Sequence, residues 1–242
     1  MEKHQKRIAA PRSWRIERKT AFWTVKPRPG PHPGDKSMPL LLVVRDMLKL
    51  ADNSKETKRI LNEGNVVVNG RVRKDHKFPV GIFDILSFPA IKANYMVFLD
   101  KKGKLSLVEI GESEASEKLC RVNGKRMIKE GKIQLNLHDG GNILPGEDLS
   151  GEIKTHDSVI VSLESNEIVQ HFAYKEGSKV MVIGGKHSAQ TGEIEEIRVT
   201  RSPESNVVRI KPLNGGGEES FETIDDYVFV VGEEKIEIPG VK

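Results

Sequence analysis

The sequence has one cysteine, Cys120, in 242 residues, which rules out an internal disulfide framework and a cysteine-rich zinc site. Aromatics are scarce, with two tryptophans, three tyrosines and eight phenylalanines, while glycine is abundant at 22. That balance favours several small, turn-rich cores over one large one. The longest apolar run, residues 38–44, falls far short of the ~20 residues that span a bilayer. The basic N-terminus is not followed by an apolar segment of about 7–15 residues, so a secretory leader is not expected. Charged residues make up 31%, which suits a soluble protein in a reducing cytosol. The seven histidines, at 4, 32, 76, 138, 156, 171 and 187, include no pair spaced i, i+3 or i+4. They therefore suggest neither a helical metal site nor an obvious catalytic base. Cys120 sits between apolar neighbours and reads as an inert core thiol.

The net charge is only +4, but it is unevenly spread. Residues 1–78 carry 19 basic and 8 acidic side chains; residues 79–242 carry 20 basic and 27 acidic. A basic front third on an acidic remainder points to a polyanionic partner. Residues 1–36 read as an arm, with Trp14, Phe22 and Trp23 interleaved among cations. Prolines at 27, 29, 31 and 33 favour an extended polyproline segment after it. A disordered tail would be poor in aromatics. The arm is therefore expected to order against a partner, with Arg7, Arg12, Arg15, Arg18, Lys19, Lys26 and Arg28 on phosphates and Trp14 and Trp23 stacking or wedging.

Residues 37–51 predict an amphipathic helix, with Ser37 as N-cap and Pro39 in the first turn. A second helix opens at Asn53 and closes before Gly64. Lys55, Lys58, Arg59 and Asn62 lie at i, i+3, i+4 and i+7, so they share one face. The following VVVNGRVR reads as a hairpin, because Asn-Gly is a strong two-residue turn signal. It brings Asn69, Arg71, Arg73 and Lys74 toward the same cationic face. A solvated helix face is the plain alternative, weakened by the absence of a balancing acidic run.

Beyond Phe78 the pattern is β, with strands expected at 133–137, 158–163, 179–183, 193–199, 206–210 and 227–231; only residues 113–122 look helical. Residues 177–194 place a glycine-rich loop between two strands and present Lys186 and His187 at its tip. The phosphate-loop spacing is absent.

The helix–helix–hairpin unit resembles the alpha-L RNA-binding motif, and residues 177–194 resemble the KOW motif of SH3-like barrels. AAPRSW (9–14), PRPGPH (27–32), LVVRDMLKLA (42–51), VNGRVRKD (68–75), KLCRV (118–122) and GKIQLNLHDG (131–140) precede the latter in a fixed order. That order resembles the e-type S-four family of small-subunit ribosomal proteins, from Arg7 to about Val231. Two positions depart from the family pattern: Gly141 stands where Arg is expected, and Ala189 where the loop often has Gly.

The resemblance implies an α+β multidomain fold. It comprises a basic arm (1–36), an alpha-L module (37–92), a central mainly-β domain (93–172) and a KOW barrel with a C-terminal tail (173–242). It implies a non-enzymatic protein that binds small-subunit rRNA beside neighbouring ribosomal proteins in the cytoplasm. Lys186 and His187 add a contact from the KOW loop. No cofactor, metal, membrane or small-molecule substrate is expected. Two rivals remain: an RNA-modifying enzyme with an alpha-L appendage, and a KOW-type transcription or translation factor. The first needs a catalytic Asp in an Arg-Leu-Asp setting, and the nearest match, Phe98-Leu99-Asp100, lacks the Arg.

Overall fold

The computed structural model describes residues 4–128, 131–213 and 220–233. The structure is mostly β with short helices, and it divides into two compact units. One comprises Met1–Asp100 with Lys104–Lys118, the other Lys101–Gly103 with Leu119–Lys242.

In the first unit the arm folds back on itself: β1 (Gln5–Lys6) pairs antiparallel with β2 (Trp23–Thr24). The Pro-rich stretch is docked too, with Arg28 N donating to Lys77 O and His32 buried. Residues 37–39 are not a helix start. They form β3 (Ser37–Pro39), and Ser37 Oγ donates to Pro33 O instead of capping a helix. The helix begins at α1 (Leu40–Leu42) and widens at once into a π turn over Val43–Met47, where Leu48 N reaches back to Val43 O.

Local signals hold better in α2 (Ser54–Asn62), where the Asn53 side chain accepts from Lys55 N and Glu56 N. The reciprocal arm of the capping box is displaced by one residue, since Glu56 Oε2 accepts from Asp52 N. Gly64 then takes φ +83 as the left-handed stop. In the hairpin of β4 (Val67–Val68) and β5 (Arg71–Val72), Asn69 and Gly70 have φ of 49 and 72, as a type I′ turn requires. After β6 (Pro79–Gly81), which pairs with β3, come β7 (Ile85–Phe88), β8 (Ala93–Leu99) and β9 (Leu105–Ile110). The hairpin belongs to a five-stranded sheet ordered β5-β4-β7-β8-β9, which runs through position 92. Leu40, Leu41, Leu42, Leu61 and Phe83 fill the core beside it.

The helix expected over 113–122 is instead a 3-10 turn at Glu114–Ser116 followed by β10 (Glu117–Met127). Tertiary burial overrides the local helical pattern there: Leu119, Cys120 and Val122 are buried, as are Lys118 and Arg121. Next come β11 (Ile133–Leu137), β12 (Asn142–Ile143), α3 (Glu147–Glu152), β13 (Ser158–Ser162) and β14 (Ile168–Phe172). The sheet order is β12-β11-β10-β13-β14, and Val122, Leu135, Ile153 and Val159 lie in its core. At the β11–β12 turn Gly141 N donates to Asp139 Oδ1, an Asx-type closure.

A last antiparallel sheet is built from β15 (Lys179–Val182), β16 (Thr191–Arg198), β17 (Val207–Pro212), β18 (Phe221–Ile224) and β19 (Val228–Gly232). Its order is β18-β17-β16-β15-β19. Val180, Met181, Val208, Ile210 and Phe229 are buried in it. The C-terminal tail beyond residue 233 lies outside the described residues.

Candidate nucleic-acid interface

Lys55, Lys58 and Arg59 all stand exposed on α2, while Thr57 and Leu61 turn inward. Arg59 Nε sits 2.9 Å from Glu63 Oε1, but the Arg side chain is 82% exposed, and such a surface pair is easily exchanged for a phosphate. Arg71 and Lys74 are likewise exposed on the hairpin side. His76 follows the hairpin and is half-buried. Its pKa is lowered from the usual imidazole value first by burial, then by the positive charge of Lys58; Asp75 opposes the shift, and Lys77 and Arg28 add to it. Lys58 from the helix, Lys77 after the hairpin and Arg28 from the arm thus surround one imidazole, a basic patch partly offset by Asp75. Arg28 also reaches Asp75 at 3.1 Å, which ties the arm to that patch.

Two hairpin residues play internal parts. Asn69 Nδ2 donates to Asp84 Oδ1 at 2.8 Å and its Oδ1 accepts from Ile85 N, so the side chain braces the turn instead of facing a partner. Arg73 is half-buried with its guanidinium 4.5 Å from the Phe78 ring centre, a cation–π contact.

The arm divides in the same way. Arg12, Arg15 and Lys19 are exposed, and Lys26 is half-buried. Trp14, expected to stack on RNA, is 1% exposed, and its indole Nε1 donates to Ser37 O at 2.6 Å. Arg7 is buried and donates to Glu17 O. Arg18 donates to the carbonyls of Ile8, Ala10 and Pro11, substituting for secondary structure in an irregular stretch. Trp23, by contrast, is 54% accessible, meets Phe22 edge-on and lies 5.5 Å from the His4 ring. Phe22 and Ile8 are 65% and 67% exposed beside it, and Lys6 sits over the Phe22 ring. The sequence marks Phe22 and Trp23 as aromatics among the arm's cations, but not Ile8 as their apolar neighbour. Ile8 carries only the weak signal of a large apolar residue set among cations.

In the second unit Lys186 is exposed at the loop tip. His187 is held from within: Nδ1 lies 2.9 Å from Gln190 Oε1, and the ring stacks 4.2 Å from Phe221. The glycines of this loop serve the chain itself. A Cβ on Gly184 would fall 2.7 Å from the Tyr227 ring, so the close approach they permit is to Tyr227. Ala189 takes φ +67, a conformation in which glycine would be free of strain. Among the described residues no group of His, Cys, Asp or Glu is arranged to hold a metal ion, and no helix is long and apolar enough to cross a membrane.

Comparison with known proteins agrees with this geometry. Residues 91–168 match the profile described as ribosomal family S4e, and residues 1–35 match the RS4NT (NUC023) domain. The chain is 48% identical over 239 residues to small ribosomal subunit protein eS4 of Methanocella arvoryzae, covering 99% of this chain and 98% of that one. It is 41% identical to the protein of the same name from Archaeoglobus fulgidus, covering 100% and 98%. The crystal structure of 30S ribosomal protein S4e from Thermoplasma acidophilum superposes with a TM-score of 0.67 at 32% identity, covering 82% of this chain and 96% of that one. With relatives this similar along the full length of the chain, the protein belongs to ribosomal family S4e.

Proposed function

We propose that the protein is a structural, non-catalytic constituent of the small ribosomal subunit in the cytoplasm. In this reading it binds rRNA and supports subunit assembly and translation. The observation that carries it is the shared exposure of Lys55, Lys58, Arg59, Arg71 and Lys74 on a rigid helix–hairpin scaffold, in a chain of this family. Affinity comes mainly from phosphate neutralisation, and selectivity comes from the shape and 2′-hydroxyls of folded RNA. The helix α2 with its hairpin acts as an alpha-L module, and the sheet β15–β19 as a KOW-type barrel. In the arm, Arg12, Arg15, Lys19, Lys26 and Arg28 meet phosphates while Trp23 contacts bases. Lys186 adds a cation from the second unit. Neighbouring ribosomal proteins cover part of the acidic remainder.

Neither rival gains support. Asp100, the nearest match to a modifying enzyme's aspartate, closes a turn by accepting from Lys104 N at 2.9 Å. A soluble factor would have no use for so many exposed cations on one arm and one helix. Sedimentation of native lysate through a sucrose gradient tests the proposal. Co-migration with small subunits that survives moderate salt is the expected result; a free pool at the top of the gradient would overturn it.

A further inference from the structure

A pocket of about 470 Å³ in the first unit lies outside the α2–hairpin cation set and shares Arg15 with the exposed cations of the arm. Segments distant in sequence form its walls: Arg15 from the arm, Met47 to Lys49 after α1, and Tyr95 and Leu107 from the sheet. In the register of β8 and β9, Val97 pairs with Leu107. Tyr95 is two residues from Val97, so Tyr95 and Leu107 are diagonal neighbours on one sheet face. Phe88 packs against Tyr95 at a steep angle, with centroids 6.0 Å apart, and fixes the ring.

The other wall follows from the π turn. Its wide pitch lets Leu48 N reach Val43 O and Leu50 N reach Val44 O, and the chain leaves through Lys49 at φ +55. Such irregular turns are found disproportionately at functional sites, and this one sets an exposed lysine on the pocket. Arg15, also exposed, lines it too. Asp46 is the acidic lining residue, and both of its oxygens are already held by Arg45 at 3.0 Å. The remaining free charge is positive.

We propose that this pocket accepts one unstacked nucleotide of rRNA. The base lies against Tyr95 between the apolar walls of Met47, Leu48 and Leu107, and its phosphate lies between Arg15 and Lys49. The volume falls within the ~300–1,000 Å³ of ordinary ligand pockets. An aromatic face combined with two cations suits a base with its phosphate. A simple carboxylate would leave the ring unused. The inference rests on the rRNA-binding reading above.

The test measures binding of the full chain to a transcribed archaeal small-subunit rRNA across a salt series. Tyr95→Leu keeps an apolar side chain on the strand but removes the ring. It is expected to lose roughly five-fold or more in affinity at every salt concentration, with the salt slope unchanged. Tyr95→Phe keeps the ring and should bind within about two-fold of the parent. Lys49→Asn removes the charge at an exposed position while tolerating the left-handed backbone. It should reduce the salt slope by roughly 0.7–0.9. Parental affinity in a folded Tyr95→Leu protein overturns the pocket assignment. Should that variant fail to fold, an unchanged slope for Lys49→Asn overturns it instead. Failure of the parent chain to bind rRNA would strike the broader proposal, and the two results are read from separate lanes of one experiment.

Discussion

Lys118 Nζ lies 2.7 Å from Asp84 Oδ1, and both side chains are buried. The same carboxylate accepts from Asn69 Nδ2 at 2.8 Å, from Gly81 N at 2.8 Å and pairs with His32 Nε2 at 2.9 Å. One buried charge therefore ties together the Pro-rich stretch, the hairpin turn, the end of β6 and the start of β10. The hub joins the Arg28–Asp75 pair and the β3–β6 ladder in holding the arm against the hairpin. Burial on its own would raise the Asp84 pKa, but Lys118 and His32, with Asn69, hold it well below the usual carboxylate value.

Replacing Lys118 with Met removes the strongest partner and leaves a buried carboxylate short of compensation. Breaking a buried pair from one side costs about 3–5 kcal/mol, and the contacts from His32, Asn69 and Gly81 place this case near the lower end. Urea unfolding followed by tryptophan fluorescence measures it directly. Both tryptophans of the chain, Trp14 and Trp23, lie in the first unit. An unshifted midpoint would show that the pair contributes no net stability.

The same hub makes the first unit acid-sensitive. Because the native Asp84 pKa is depressed, the unfolded chain takes up the proton first as pH falls. The stabilisation is complete above the ordinary value of 3.8 and is lost progressively as pH drops from there toward the lower native value. Asp84→Asn should thus differ from the parent by a constant amount near neutrality, and the gap should narrow below about pH 4. Stability curves at stepped pH read this, and parallel curves for the two proteins down to the acid limit would contradict it.

Gly81 is constrained by the neighbour of that hub. A Cβ there would meet the His32 ring at 2.4 Å, and His32 is held in place by Asp84. The ring cannot swing away without giving up its bond. Gly81→Ala should cost about 1–3 kcal/mol through overpacking, in the same fluorescence assay. His32→Ala introduced together with it should restore none of the lost hub bond but should remove the clash, so the two costs combine to less than their sum.

What the sequence reveals about this protein follows how far each signal reaches along the chain. Asn53, Gly64 and the Asn69-Gly70 turn act within a few residues of themselves, and all behave as their local chemistry dictates. The exposed face of α2 follows from helical spacing alone. Trp14 reaches a carbonyl 23 residues away, and Lys118 reaches a carboxylate 34 residues away. Neither side chain carries any local mark of its partner. A lysine in a stretch of helical composition reads as solvated until the fold supplies Asp84. The same blindness sorted Arg7 and Arg18 with the phosphate contacts, because a guanidinium that satisfies backbone carbonyls looks no different in sequence from one that waits for RNA.

That distinction among arginines yields a paired prediction. Lys55→Ala combined with Arg59→Ala removes two exposed cations and only one surface ion pair, so folding stability should change by no more than about 0.5 kcal/mol. The slope of log affinity against log salt for rRNA should fall by roughly 1.4–1.8, two phosphates' worth. Arg18→Ala should behave in the opposite way. Its guanidinium donates to Ala10 O at 2.6 Å and Pro11 O at 2.8 Å, so its loss should destabilise the arm by about 1.5–3 kcal/mol while leaving the slope near the parental value. Measured side by side, the two variants separate cations that bind RNA from cations that build the binder. An unchanged slope in the double variant would remove α2 from the interface, and a reduced slope in Arg18→Ala would return Arg18 to it.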